Sequence, residues 1–266
     1  MKINDRSTGL EESVRLTRKI VNADQTVEEA ADVVVKEHFL DVFVNERLVA
    51  KLVCTPSHLV ELVLGRLLTE GVILGAEDVE SIYICEKGHT AKVFLKEEAV
   101  WHADVVQEPT CCTGNQVFLQ KTGTGDLKPL PEGNGQEKYP SKWIFALADI
   151  FAEDSKIHRK TKGTHSCYLG VKGQCVFSGE DIGRHNAMDK CIGYMLLKQI
   201  DPSDGILFTT GRVPTDMVKK AVAAGVPVLV SKAVPTDAAV EMAAEYNLTL
   251  ICKAWPDRYE VYHEGK

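Results

Sequence analysis

The last third of the chain alternates short apolar segments with helical patterns, and this alternation restricts the fold more than any other feature. Strands are predicted at residues 206–209, 228–230 and 248–251, with helices at 216–224 and 237–246 between them. A helix between two strands implies a parallel pair joined by a right-handed crossover. We therefore expect an α/β core built on a mainly parallel sheet.

A polar stretch at residues 179–190 precedes this alternation. It joins a predicted strand at 174–177 to a helix whose apolar residues recur at helical spacing. Asn186 is expected to cap that helix, with Asp189 three residues later. Such a turn presents backbone N–H groups and the positive end of a helix to an anion, although a helix start with surface ion pairs is the alternative. The candidate binding residues in the stretch are Glu180, Asp181, Gly183, Arg184, His185, Asn186 and Lys190.

Basic residues follow the predicted strands at the ends where open parallel sheets bind ligands. Each of them alone would fit a solvated surface, but together they predict a phosphate-bearing ligand held by Arg, Lys and helix N-termini. Neither a P-loop nor a Gly-x-Gly-x-x-Gly pattern is present, which argues against classical NTPases and dinucleotide oxidoreductases. The residues at these ends are Arg184 and His185, Gly211 and Arg212, Ser231 and Lys232, and Lys253 with Arg258.

Composition excludes several classes of function. The net charge of −7 provides no general basic field for nucleic acid, so any anion site must be local. The most apolar windows are short and interrupted by charge, so we expect no membrane span. The first residues are polar and contain no apolar signal core, which predicts a cytoplasmic protein whose eight cysteines are reduced thiols.

Three regions are predicted along the chain. Residues 1–110 form an N-terminal α+β unit, residues 111–140 a cysteine-bearing mobile loop or linker, and residues 141–266 the α/β core. The linker is predicted from its Gly- and Pro-rich composition, which leaves little to bury.

Local patterns within the N-terminal unit predict its elements. The polar residues 1–30 are expected to be frayed at the start, and residues 38–44 and 47–54 to pair as a hairpin. Thr55 or Ser57 is expected to cap the helix that follows.

Two adjacent cysteines, Cys111 and Cys112, lie at the edge of the linker. They are either incidental thiols, a strained vicinal disulfide, or a reactive thiol on a movable arm. Glu108 is the only charge nearby, and it would raise the pKa of a thiol rather than lower it. Activation would therefore have to come from the rest of the fold or from a partner.

Residues 180–190 resemble the signature of the formate dehydrogenase accessory sulfurtransferases, the FdhD/NarQ family. The resemblance covers residues 35 to 262, nearly the whole chain. Further blocks that carry it are Thr55 with Pro56, residues 68–71, Thr164 with His165, and residues 210–212, 227–231, 233–236 and 258–262.

This resemblance implies a cytoplasmic homodimer with a cytidine-deaminase-like core. Such a protein accepts sulfur from a cysteine desulfurase as a cysteine persulfide. It passes the sulfur to a bis(molybdopterin guanine dinucleotide) cofactor of molybdenum, or its tungsten analogue, which serves the formate dehydrogenase catalytic subunit. The cofactor would be a bound substrate, and no tightly held protein-ligated metal is expected.

The resemblance also implies roles for individual residues. The persulfide would form on Cys111 or Cys112, with Cys112 favoured because a Thr-Gly segment follows it. His185 and His165 are candidates for proton transfer, because sulfur insertion expels an oxygen that must be protonated. Arg184, Arg212, Lys232 and Arg258 would hold phosphates, while Glu180, Asp181 and Asn186 would bond guanine or pterin edges.

One segment departs from the family pattern Phe-x-Arg-Gly-x-Arg. Here it reads Lys253, Ala254, Trp255, Pro256, Asp257 and Arg258, which leaves cofactor affinity and metal preference open. Two rival functions would need different residues. A non-catalytic chaperone would bind the same cofactor without using a thiol. A zinc deaminase would need His-x-Glu and Pro-Cys-x-x-Cys, and the chain has neither.

Overall fold

A computed structural model describes residues 1–97, 108–109, 115–117, 127–133, 139–153 and 155–266. These residues form two sheets, a separate hairpin and six α-helices. The strands are β1 (Lys2–Asp5), β2 (Ser13–Val21), β3 (Val27–Val35), β4 (His38–Val44), β5 (Arg47–Cys54), β6 (Val79–Ile84), β7 (Thr90–Leu95), β8 (Glu108–Pro109), β9 (Gln116–Val117), β10 (His165–Val171), β11 (Gln174–Asp181), β12 (Gly205–Thr209), β13 (Val228–Ser231), β14 (Thr249–Cys252) and β15 (Glu260–His263). The helices are α1 (Leu59–Thr69), α2 (Ser141–Ala152), α3 (Lys156–Thr161), α4 (Arg184–Leu197), α5 (Thr215–Ala223) and α6 (Asp237–Glu245).

The N-terminal sheet has seven strands in the order β1-β6-β7-β4-β5-β9-β8. Its predicted β4–β5 hairpin is confirmed, with Asn45 and Glu46 both at positive φ in the turn, as a two-residue hairpin with right-handed twist requires. The expectation that residues 1–30 are frayed at their start was wrong. β1 pairs in parallel with β6, and β2 pairs with β3 along nine residues. These strands are largely exposed, so they lack the apolar alternation that reveals a half-buried strand.

The C-terminal sheet has the order β11-β10-β12-β13-β14-β15. Its centre is the predicted unit of three parallel strands, β12, β13 and β14, with α5 and α6 as the connections. The other three pairs are antiparallel, because β10 and β11 form a hairpin and β15 folds back on β14. The description "mainly parallel" is therefore corrected to a mixed sheet with a parallel centre, and the likeness to cytidine deaminases stays a prediction.

Two helices, α1 and α4, join the sheets through a close crossing. A Cβ on Gly65 would lie 1.9 Å from the Asp189 carbonyl oxygen, and one on Gly193 would lie 1.8 Å from the Glu61 carbonyl oxygen. Glycine at both positions therefore lets the two helix backbones touch. Buried side chains from both sheets and both helices form one apolar cluster, so the predicted N-terminal unit and the C-terminal core share their interior.

The two predicted caps on these helices were wrong. α1 begins after His58, which has positive φ and makes no side-chain cap, while the Thr55 hydroxyl bonds to Asp181 instead. α4 begins at Arg184, so Asn186 lies inside its first turn rather than before it. Local spacing identified both helices but not their caps, because buried partners elsewhere in the fold claim the polar side chains.

The predicted mobile segment 111–140 is described at residues 115–117, 127–133 and 139–140. β9 pairs with both β5 and β8. Asn115 and Leu130 are buried, and the Leu130 amide donates to the Tyr246 carbonyl oxygen at 2.9 Å. These described parts are anchored to the fold, and the rest of the segment, including Cys111 and Cys112, lies outside the described residues.

Candidate anion-binding site

The strands of the C-terminal sheet bring several predicted site residues to one edge. β11 and β12 are both antiparallel to β10, and β12, β13 and β14 are parallel, so the carboxyl ends of these four strands share an edge with the start of β10. In that register His165 lies opposite Asp181, and Thr209 lies opposite Ser231. Folding thus places Arg184, His165 and Lys232 together although they are far apart in sequence.

A cavity of about 330 Å³ opens at this edge. It is largely polar, and its walls include two lysines and two histidines, which suits an anionic ligand. Its walls are Phe151, Ser155, His158, Lys162, Gly163, Thr164, His165, Ser166, Tyr168, Ile182, Thr210 and Lys232.

Two buried donors at this edge have no hydrogen-bond partner among the described residues. They are the hydroxyl of Thr164, which lines the cavity and is 6% exposed, and Nε of Arg184. Leaving a buried polar group unpaired costs about 1–3 kcal/mol, so an acceptor atom of a ligand would be stabilising here. The Arg184 side chain lies across Gly211, where a Cβ would come within 2.9 Å of its Cδ. Glycine at 211 therefore makes room for the arginine.

Lys232 contributes positive charge to the cavity. Its Nζ lies 4.5 Å from the centroid of the Phe151 ring and 5.4 Å from that of the Trp255 ring, which places the ammonium against two aromatic faces. It takes part in none of the ion pairs formed among the described residues. The aromatic rings orient this lysine without neutralising it, so its charge remains available to a ligand.

The imidazole of His165 also lines the cavity. Burial lowers its pKa below the ordinary value of 6.5, and the charge of Arg184 lowers it further. His165 is therefore neutral at pH 7. The neighbouring His158 donates from Nδ1 to the Thr164 carbonyl oxygen at 2.7 Å, which holds the turn between α3 and β10.

His185 is buried and donates from Nε2 to a carboxylate oxygen of Asp216 at 2.6 Å. Burial is the largest influence on the pKa of Asp216 and raises it, but the hydrogen bond and charge of His185, together with Arg184, bring it below 3.8. Sequence reasoning missed Asp216. The signal available was a carboxylate in the first turn of a helix that follows a strand end.

Four predicted contact residues are instead enclosed in the protein. The Glu180 carboxylate accepts the backbone N–H groups of Ile157 and His158 at 2.8 and 2.9 Å. Lys190 donates to Asp181 at 2.8 Å, and both side chains are fully buried. The side chain of Asn186 is also fully buried and bonded to protein. This geometry supports a structural role for the four, and their contact with a cofactor stays a prediction.

The remaining predicted residues lie around the edge rather than in the cavity wall. The Ser231 hydroxyl donates to the Gly211 carbonyl oxygen at 2.7 Å and so ties two loops together. Lys253 pairs with Glu260 at 2.8 Å, and Ala254 is buried. Gly183 precedes α4. Arg212, Trp255, Pro256, Asp257 and Arg258 are exposed.

A mixed α/β fold with a cation-lined cavity at the strand ends defines a protein suited to an anionic ligand. Comparison with known proteins then identifies the family. The model of the FdhD/NarQ family matches residues 35–266, and the chain belongs to this family, as its sequence motifs predicted.

Its relatives are similar over nearly their whole length. The sulfur carrier protein FdhD of Halalkalibacterium halodurans is 34% identical over 242 residues, which cover 89% of this chain and 88% of that protein. The sulfur carrier protein FdhD of Bacillus subtilis is 30% identical over 240 residues, covering 89% and 90%.

A crystal structure described as that of a formate dehydrogenase accessory protein from Desulfotalea psychrophila has the same fold. Its TM-score is 0.78 at 23% identity, covering 95% of this chain and 97% of that one. No helix within the described residues has the length and apolar character needed to cross a membrane.

Proposed function

We propose that this protein is a sulfur carrier. It takes persulfide sulfur from a cysteine desulfurase and transfers it to a bis(molybdopterin guanine dinucleotide) cofactor of molybdenum, or the tungsten analogue, destined for formate dehydrogenase. Family membership and relatives named sulfur carrier proteins support the proposal. A cytoplasmic homodimer that meets the desulfurase and the dehydrogenase catalytic subunit is part of the same proposal.

The observation that carries the proposal is the pair of unpartnered buried donors at this edge of the sheet, one of which, the hydroxyl of Thr164, lines the cavity. The cofactor is the cargo, and its phosphates are anionic acceptors. The hydroxyl of Thr164 and Nε of Arg184 are donors in need of such acceptors, and Lys232 supplies charge nearby. The residues present therefore fit a phosphate-bearing ligand.

Sulfur passes through the protein in two steps, uptake and delivery. A thiolate at Cys111 or Cys112 attacks the terminal sulfur of the desulfurase persulfide, so that one S–S bond breaks, another forms, and the desulfurase thiolate leaves. Delivery as sulfide then requires two electrons. A second thiol supplies them by forming a disulfide with the carrier sulfur, while the displaced oxygen takes up two protons and leaves as water.

Histidines at the strand ends are suited to moving those protons. His165 is neutral at pH 7 and lines the cavity, so its imidazole can accept and return a proton there. His185 is oriented by the carboxylate of Asp216, which accepts the hydrogen bond from its Nε2. His165 is the proton-transfer candidate nearer the cargo, and His185 the second.

The rival function is a non-catalytic chaperone that binds the same cofactor through the same cavity. Persulfide trapping separates the two. We expect the wild-type protein to gain sulfur when incubated with a cysteine desulfurase and cysteine, as measured by intact mass, and the Cys111→Ser/Cys112→Ser double variant to gain none. Cys85→Ser, at a free and partly exposed thiol, is the control and should load normally. Equal loading of the double variant would contradict the relay.

A second experiment tests the cavity. Lys232→Ala should weaken binding of guanosine diphosphate about tenfold or more, because an interaction with a charged group contributes about 1.5–3 kcal/mol. Lys92→Ala is the matched control, since that lysine is exposed and pairs with Glu46 on the other sheet. Binding is measured by calorimetry. If Lys232→Ala binds guanosine diphosphate as tightly as the wild-type protein does, the cavity is not the phosphate-binding site.

A further inference from the structure

The side chains of Asn115 and Asn186 bind the N–H and the carbonyl oxygen of one backbone residue, Val53. Asn115 accepts the N–H of Val53 through Oδ1 at 2.8 Å, and Asn186 donates from Nδ2 to the carbonyl oxygen of Val53 at 2.8 Å. The two amides also meet each other, with Asn115 Nδ2 donating to Asn186 Oδ1 at 2.8 Å. Both asparagines are fully buried. We call Val53, Asn115 and Asn186 the asparagine clamp.

Backbone chemistry determines the orientation of both amides. An N–H can only donate and a carbonyl can only accept, so Asn115 must turn Oδ1, and Asn186 must turn Nδ2, toward Val53. The remaining halves of the two amides then face one another with matching polarity. An aspartate at 115 would still accept the Val53 N–H but could not donate to Asn186. The clamp therefore requires an amide at position 115.

The clamp continues into the core of the polar stretch 179–190. Asn186 Nδ2 also donates to Asp181 at 2.9 Å, and Arg66 donates to Asn186 Oδ1 at 3.1 Å. Asp181 in turn pairs with Lys190. Asn115 is thus connected through buried, charge-assisted bonds to the first turn of α4, which carries Arg184 and His185 at the binding edge.

Strand pairing anchors the chain on both sides of the two cysteines. β8 and β9 pair with each other, with Pro109 opposite Gln116, and β9 pairs with β5. Cys112 is three residues before Asn115 in the sequence, so the clamp fixes the chain close in sequence to the two thiols.

Resting on the proposed function, we propose that Asn115 and Asn186 are positioning residues for sulfur delivery. They hold the chain next to the thiols in a fixed position relative to the turn between β11 and α4, which lies at the edge of the sheet that carries the cavity. Neither asparagine touches the transferred sulfur in this role. Breaking the clamp slows the delivery of sulfur to the cofactor while leaving its uptake from the desulfurase intact, because uptake needs only an accessible thiol.

The experiment measures both steps on the full-length protein. Uptake is followed by intact mass with a cysteine desulfurase and cysteine, and delivery by single-turnover activation of sulfur-deficient formate dehydrogenase. We expect Asn115→Asp to load normally but to deliver about tenfold or more slowly, since a misplacement of ~1 Å can cost ~100-fold. Asn115→Gln, which keeps both a donor and an acceptor, should recover part of the delivery rate.

The control is Ile144→Val, a conservative change at a buried residue in the separate apolar cluster beneath α2, which lowers stability without touching the clamp. Delivery by Asn115→Asp at the wild-type rate would overturn the positioning role, and so would a loss shared equally by uptake and delivery. Should Asn115→Asp fail to fold, Asn115→Gln decides by the same comparison of the two rates. Failure of the wild-type protein to take up sulfur would instead overturn the proposed function, and the positioning role with it.

Discussion

Lys190→Met tests whether the polar stretch at 179–190 holds the fold together. The Lys190 ammonium is fully buried and donates to Asp181, to the Thr55 hydroxyl and to the Glu180 carbonyl oxygen, each at 2.8 Å. Methionine keeps much of the side-chain volume but leaves the Asp181 carboxylate buried without its counter-charge. Breaking a buried pair in this way costs about 3–5 kcal/mol.

The lower end of that range applies here because Asp181 retains donors from Thr55, Gly183 and Asn186. For a chain of this length each kcal/mol lowers Tm by about 2–4 °C, so a loss of about 3 kcal/mol predicts a fall of roughly 6–12 °C. Urea unfolding followed by tryptophan fluorescence measures the free energy directly.

The same substitution at an exposed ion pair is the control for Lys190→Met. Lys92 pairs with Glu46 at 3.2 Å with both side chains in solvent, and such pairs contribute about 0–1 kcal/mol. If Lys190→Met destabilises the protein no more than Lys92→Met does, the buried network is not a stabilising element and the reasoning fails. Adding Asp181→Asn to Lys190→Met should recover part of the loss, because it removes the uncompensated charge.

Two further predictions concern packing and pH. In Gly193→Ala the new Cβ would collide with the Glu61 carbonyl, and this overpacking should lower the free energy of unfolding by about 1–3 kcal/mol. The loss is expected although alanine is the better helix former by about 1 kcal/mol. A variant that urea unfolding shows to be stabilised would refute the close crossing of the two helices. Burial lowers the pKa values of His38 and His165 below 6.5, so on acidification the unfolded chain binds protons before the folded chain does. The free energy of unfolding therefore falls as the pH drops below about 6.5. Urea titrations at several pH values should show a smaller pH dependence for His165→Asn, and an unchanged dependence would contradict the role of His165.

Local sequence determined most elements of this fold. The β4–β5 hairpin, the helices α1 and α4, and the alternating strands and helices from β12 to β14 were predicted because side-chain periodicity reports which face is buried. Strands β1 and β2 could not be found in this way, since they are paired by backbone hydrogen bonds while their side chains remain largely exposed. β15 pairs antiparallel with β14 because the chain reverses direction between them, and no local sequence pattern predicts that reversal.

The candidate site divides in a similar way. Topology and charge indicated that Arg184 and Lys232 lie at one edge of the sheet, and the motifs indicated the family. Sequence could not show that Asp181 and Lys190 neutralise each other in the interior, or that Asn115 reaches Asn186 across 71 residues of chain. Chemical type alone does not distinguish a buried partner from a ligand contact. Only the packing of α4 between its neighbours decides which polar groups face protein and which face the cavity.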